Sequence, residues 1–182
     1  MQILAVCGSL RRASINRALL RAFARLAAPG AHVTVFPSLG TLALFNPDLE
    51  AQPPAPVAQF QAAVRAADAL VIATPEYAHG ISGTLKNALD WLVGFEPFVN
   101  KPVAVINASP RAHHADDALR EILRTMSAAL VGDRSFALAL LGAQLDEDGM
   151  AASPEVREVV ERVVAALALE VSCQGGFAPG DG

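Results

Sequence analysis

The stretch ALVIATPEYAHGISGTLKNALDW, residues 69–91, changes its hydrophobic period midway. Ala69–Ala73 is an unbroken apolar run of strand length, which reads as a strand buried on both faces. Pro75 and Gly80 then stop the strand and delay a helix. From Ile81 onward Leu85, Ala88, Leu89 and Leu92 recur at helical spacing and share one face. A strand, a bent loop and a helix make half of a βαβ unit. The loop falls at the carboxyl end of the strand, where open α/β sheets bind ligands.

Outward from this unit the same alternation continues. Gln2–Cys7 reads as a first strand, broken at Gly8. A helix is expected from Ile15, with Ile15, Leu19, Phe23 and Leu26 inward and Arg17, Arg21 and Arg25 turned away; Pro29-Gly30 ends it. His32–Phe36 alternates as a second strand. Residues 37–56 carry five prolines and no period, so they form a long connection before a helix over 57–67. Pro102–Asn107 reads as a fourth strand. A helix opening at Asp116 or Asp117 carries Leu119, Ile122, Leu123, Met126 and Leu130, and Ser135–Leu141 is the expected fifth strand. Ser153 caps a last helix with Pro154 at its first position and Val156, Val159, Val160, Val163 and Leu167 inward. Residues 175–182 are expected to be a disordered tail. Five strands alternating with five helices predict a three-layer α/β/α protein around a five-stranded parallel sheet. The flavodoxin-like order 2-1-3-4-5 suits this size, as one domain over residues 1–174.

Composition narrows the function. The chain has 182 residues, 53% of them apolar, and a formal charge of −4, which argues against a general nucleic-acid or anionic-membrane surface. No apolar run reaches the length of about 18 residues that suggests a membrane span. Cys7 and Cys173 do not suggest a disulfide framework. A cytoplasmic setting is expected.

Three loops carry the chemistry. The first, GSLRRASIN (Gly8–Asn16), joins a strand to a helix N-terminus, a ready anion site. Ser9, Ser14 and Asn16 add short donors, and Arg11 and Arg12 add charge suited to phosphate. With one glycine it is neither GxGxxG nor a Walker loop, so a single terminal phosphate fits better than a dinucleotide or triphosphate. The plainer alternative is a capped helix with a solvated basic start. The second loop, Pro75–Gly80, offers backbone groups to the edge of a flat heterocycle, and Tyr77 offers a ring face. Here His79 also reads as an exposed loop histidine, Glu76 as a helix cap, and Lys86–Asp90 as a surface pair. The third loop, residues 108–115, contains His113-His114. Adjacent histidines on an irregular loop are no ligand pair, and no metal site is expected.

Gly8-Ser9-x-Arg11-x-x-Ser14-x-Asn16, followed by Pro75-Glu76-Tyr77 and Gly83-x-Leu85-Lys86-Asn87-Ala88-x-Asp90-Trp91, resembles the NADPH-dependent FMN reductase family. Leu44–Leu49 also looks like that family's second connection. The resemblance implies that Ser9, Arg11, Ser14, Ile15 and Asn16 surround the FMN phosphate. It implies that Pro75, Glu76, Tyr77, His79 and Gly80 line the isoalloxazine, largely through backbone, and that Ser109 touches the flavin. FMN would be the cofactor, NADPH or NADH the co-substrate, and a quinone, free flavin, chromate or azo compound the small acceptor. No catalytic side chain is implied, because the flavin carries the chemistry. A homodimer or homotetramer is implied, with Asn87, Asp90 and Trp91 serving the interface. Ala78 stands where the family often has Asn, and Ser-Pro-Arg-Ala-His-His replaces a glycine-bearing third loop. Two other readings are a flavodoxin-type electron carrier, disfavoured by the arginine-bearing loop, and a non-catalytic flavodoxin-like binding protein.

Overall fold

A computed structural model describes residues 1–111, 113–132, 136–140, 142–143 and 145–175. The strands β1 (Gln2–Cys7), β2 (His32–Val35), β3 (Ala69–Ala73), β4 (Pro102–Val105) and β5 (Ala129–Val131) form a parallel sheet in the order β2-β1-β3-β4-β5. The helices are α1 (Ile15–Leu26), α2 (Ala55–Ala66), α3 (Gly83–Asp90), α4 (His113–Thr125), α5 (Glu147–Ala152) and α6 (Pro154–Gly175). The flavodoxin-like order expected from sequence is the one observed.

The pleat sorts the strand residues into two cores. Ile3, Ala5, Cys7, Ala69, Val71, Ala73 and Ala104 pack with α1, α5 and α6. Leu4, Val6, Leu70, Ile72, Val103 and Val105 pack with α2, α3 and α4. Successive strand residues point to opposite faces, so runs apolar at every position are what a sheet covered on both sides requires. The alanines fall on the α1/α6 face, and the bulky aliphatics of β3 alternate with them.

The structure departs from expectation at four places. The long connection holds over residues 37–54, with two short 3-10 turns, Leu39–Thr41 capped by Ser38 and Pro47–Leu49 capped by Asn46, and α2 begins at Ala55 rather than at Val57. The helix expected from Asp116 begins at His113, so both adjacent histidines lie in its first turn. The place of the fifth strand is taken by Ala129–Val131, because α4 ends at Thr125 and Ser127, at φ +59°, turns the chain back to the sheet. The described part of the expected Ser135–Leu141 strand follows the end of β4. There Asn107 N–H donates to Phe136 O at 3.3 Å and Leu138 N–H to Asn107 O at 2.8 Å, around an isolated Asn107–Ala137 bridge. The fifth strand is thus in two pieces; Ser135 and Leu141 themselves lie outside the described residues. Finally, the short helix α5 stands where no helix is expected. Its Glu147 and Asp148 face Arg21 and Arg25 of α1 in a group of exposed ion pairs. The last helix starts at Pro154 as expected and runs to Gly175; residues 176–182 of the expected tail lie outside the described residues.

Candidate functional site: a cleft at the strand switch point

β1 and β3 are neighbours from which the chain winds in opposite directions, so their carboxyl ends part and leave a crevice. Gly8 sets its width. A Cβ on Gly8 would lie 2.5 Å from Thr74 Oγ1 and 3.1 Å from Ser82 Oγ. Its N–H donates to Ala73 O at 2.8 Å, and its carbonyl accepts from Ser82 Oγ at 2.6 Å. Ser82 also caps α3 by accepting from Leu85 N–H at 3.3 Å. One residue without a side chain thereby joins the exit of the first strand to the start of the third helix.

A cleft of about 320 Å³ opens there, within the range usual for ligand pockets. Nine of the eleven residues singled out in the sequence line it: Ser9, Arg11, Ser14, Ile15, Asn16, Pro75, Glu76, Tyr77 and Ser109. His79 and Gly80 do not. Ala13, Thr74, Asn107 and Ala108 line it as well and were not anticipated; the first two lie inside or beside the quoted motifs, and Asn107 closes the fourth apolar run.

On the first wall Ser9 and Ser14 are buried, Ser14 as the N-cap of α1 accepting from Arg17 N–H at 3.3 Å. Each hydroxyl keeps its own O–H to offer a ligand. Asn16 is 5% exposed, and its Oδ1 is buried without a hydrogen-bond partner. Arg11 and Arg12 are exposed. Arg17, expected to face solvent, is half-buried and donates to Ser9 O and Pro37 O, both at 3.2 Å, bracing the loop against the exit of β2. Only the tertiary position of Pro37 reveals that role.

On the second wall Tyr77 and Gly80 pair through both backbone bonds, N–H to O at 2.9 and 3.0 Å, and Ala78 and His79 have φ of +48° and +58°. This is a type I′ turn, whose two central residues need positive φ. It explains why Asn suits the Ala78 position, since Asn tolerates that conformation better than Ala. It also means that the N–H and C=O groups of Tyr77 and Gly80 are occupied by one another, so they are not the free backbone groups expected from the sequence.

The third loop meets the second. Glu76 accepts from Ala115 N–H at 2.9 Å, as a cap for the start of α4. That bond, with charge from His114 and His79, holds its carboxyl below the usual carboxylate range against a smaller opposing effect of desolvation. His79 stacks on His114 with centroids 4.2 Å apart, and His114 lies 4.0 Å from His113. Ser109 N–H donates to Asn107 Oδ1 at 2.9 Å, which fixes the loop. Among the described residues no cluster of three His, Cys, Asp or Glu could hold a metal.

Asn87 and Trp91, linked by family resemblance to an interface, are used inside the protomer. Asn87 accepts from Phe45 N–H at 2.7 Å and donates to Ala43 O at 2.9 Å; Trp91 Nε1 donates to the same oxygen at 2.8 Å. They pin residues 43–45 and leave Leu44 83% exposed between the pins.

The sheet order and the cleft at its switch point together define a flavodoxin-like α/β protein. Residues 1–143 match the NADPH-dependent FMN reductase family, and the chain belongs to it. It is 33% identical over 178 residues to an NAD(P)H-dependent FMN reductase of Pseudomonas aeruginosa, covering 94% of this chain and 95% of that one. It is 30% identical over 173 residues to a quinone reductase of Escherichia coli K12, covering 89% and 86%. Among solved structures, the flavoenzyme NAD(P)H:(acceptor) oxidoreductase FerB of Paracoccus denitrificans superposes with a TM-score of 0.81 at 26% identity, covering 93% of this chain and 98% of that one.

Proposed function

We propose that this chain is an FMN-dependent NAD(P)H oxidoreductase that reduces a small acceptor such as a quinone, a free flavin, chromate or an azo compound. The observation that carries the reading is the meeting of the two motif loops in one cleft, a hydroxyl- and arginine-bearing helix N-terminus facing an exposed tyrosine. The cleft suits FMN on its own evidence. Asn16 lines the cleft with a buried side chain whose Oδ1 has no protein partner, and Ser9 and Ser14 line it too. When bound, FMN supplies the redox chemistry, taking hydride from NAD(P)H and passing electrons to the acceptor.

The chain's own residues position it. Ser9, Arg11, Ser14, Ile15 and Asn16 would hold the phosphate end, with the α1 dipole and the Arg11 guanidinium offsetting its charge. Pro75, Glu76 and Tyr77 would flank the ring, and Ser109 would close it from the third loop. His79 and Gly80 contribute by shaping the turn that carries Tyr77. Acid–base work is assigned to no side chain, since Glu76 is engaged by the α4 N-terminus. The FMN-binding domain is taken as residues 1–174, acting in the cytoplasm. Among the described residues no helix is long and apolar enough to cross a membrane.

The working form is a homodimer or homotetramer. Leu44, 83% exposed, and Val93, 64% exposed, flank the Ala43–Trp91 hydrogen bond and supply apolar contacts for a second copy. Leu44→Asp then lowers the sedimentation coefficient while the chain stays folded; an unchanged coefficient removes this face as the interface. The functional test is steady-state NADPH oxidation with a quinone and added FMN, together with the visible spectrum of the purified protein before and after NADPH. A yellow protein bleached by NADPH and turning over the quinone is expected. Turnover no faster than free FMN alone would refute the reading.

A further inference from the structure

The second and third loops both line the cleft, and they hold each other directly. An inner tie is the hydrogen bond from Ala115 N–H to Glu76, a half-buried residue of the cleft wall. An outer tie is a row of three exposed rings. His79, at the tip of the Tyr77–Gly80 turn, stacks on His114 with an interplanar angle of 26°, and His114 leans on His113 at 36°. His113 Nδ1 donates in turn to Arg111 O at 3.2 Å, which brings the row back to the third loop. His79 and His114 do not line the cleft themselves, so their effect on a ligand passes through the loops that they join.

The cleft, at about 320 Å³, stands near the lower end of the range of about 300–1,000 Å³ usual for ligand pockets. On the reading above it takes a flavin and then, in turn, nicotinamide and acceptor. A wide acceptor therefore needs the loops to part. The inner tie is charge-assisted and half-buried, whereas the ring row is exposed and contributes only what an aromatic contact gives, so the row yields first. We propose that the His79–His114 stack is a clasp that sets the width of the acceptor admitted beside the flavin. A one-ring quinone is taken with the clasp closed. A quinone of three fused rings is taken only with the turn tip swung away from α4, and its apparent affinity is lowered by the free energy of the stack. His79 and His114 are then positioning residues for acceptor choice. That role rests on the oxidoreductase reading, whereas the clasp between the loops does not.

The test uses the FMN-loaded protein with benzoquinone and phenanthrenequinone, neutral acceptors of one ring and three. His114→Ala removes one ring of the stack. His79→Asn removes the other with a residue that tolerates the left-handed conformation of that position. Each change should lower KM for phenanthrenequinone about two- to tenfold, the factor that one aromatic pair allows, and leave kcat and the KM for benzoquinone unchanged. The double variant should gain no more than either single one, because both changes break one contact. His114→Phe restores a ring and should restore the wild-type ratio of the two KM values. Amide hydrogen exchange over residues 76–80 should quicken in His114→Ala and return to the wild-type rate in His114→Phe. Equal changes for both quinones, effects that multiply in the double variant, or exchange that is the same in all variants would each overturn the proposal. A wild-type protein that turns over neither quinone would count against the proposed function, and the exchange measurement would still decide whether the clasp exists.

Discussion

Replacing Gly8 with alanine tests whether one close approach sets both walls of the cleft. The new Cβ would stand 2.5 Å from Thr74 Oγ1, about 0.9 Å inside ordinary contact at 3.4 Å. Backbone lies on one side and a buried threonine on the other, so the strand ends must part. Overpacking of this kind costs about 1–3 kcal/mol. Parting the loops also stretches the Ser82–Gly8 hydrogen bond of 2.6 Å, worth about 1 kcal/mol. The sum is about 2–4 kcal/mol, or a fall in Tm of about 4–16 °C for a chain of this size. FMN affinity should fall more than tenfold, since about 1.4 kcal/mol of that strain expressed between the walls suffices. Urea unfolding gives the first quantity and quenching of FMN fluorescence the second. Thr74→Ala removes the closest atom. Combined with Gly8→Ala it should destabilise less than the two changes separately summed, by more than about 0.5 kcal/mol. Strict additivity, or Gly8→Ala with wild-type stability and FMN affinity, would refute the reasoning.

Further outcomes follow from the same geometry. Arg11→Ala should weaken FMN about ten- to a hundredfold, the range for loss of a hydrogen bond to a charged group, and leave riboflavin binding unchanged, as read by fluorescence titration. Glu76→Gln should destabilise the protein near neutral pH. The carboxyl of Glu76 is held below its ordinary range, so its contribution is complete above that range and disappears as pH falls through the lowered value. The difference between the urea midpoints of wild type and variant should therefore shrink to nothing in strong acid. Ala78→Gly relieves a left-handed alanine and should raise stability by about 1 kcal/mol, visible as a Tm gain of about 2–4 °C. Asn87→Ala removes both of its bonds to residues 43 and 45 and should cost about 1–3 kcal/mol in urea unfolding.

The sheet was largely legible because its central strands are buried on both faces. In β1 and β3 every position after Gln2 is apolar, and a glycine or a proline stands at or just after the strand end, so boundaries and type could be read directly. β5 could not. Two of its three residues, Ala129 and Leu130, are only partly buried at the sheet edge, and Leu130 continued the helical spacing of Leu119 and Leu123. The early start of α4 was hidden because His113 and His114 lie outside the apolar stripe. The cleft was legible wherever one motif supplied both the residue and its position, as with Ser9, Ser14 and Asn16. It was not legible where a role depends on a partner distant in the chain. Arg17 needs Pro37, and Asn87 needs Ala43. The turn at Tyr77–Gly80 shows the same limit: proline and glycine announced a loop, but not that the backbone groups of Tyr77 and Gly80 would satisfy each other.

Asn87 and Trp91 hold the chain at residues 43–45, near the middle of the long connection from β2 to α2. The connection therefore behaves as two short tethers on either side of a fixed post. Closing a flexible segment costs free energy that grows only with the logarithm of its length, so each tether can gain or lose residues cheaply while the post keeps its register. Insertions and deletions on either side should accumulate in this lineage more freely than changes at the post. A combinatorial library that varies the length of either tether would explore new surface beside the cleft without moving the sheet that supports it.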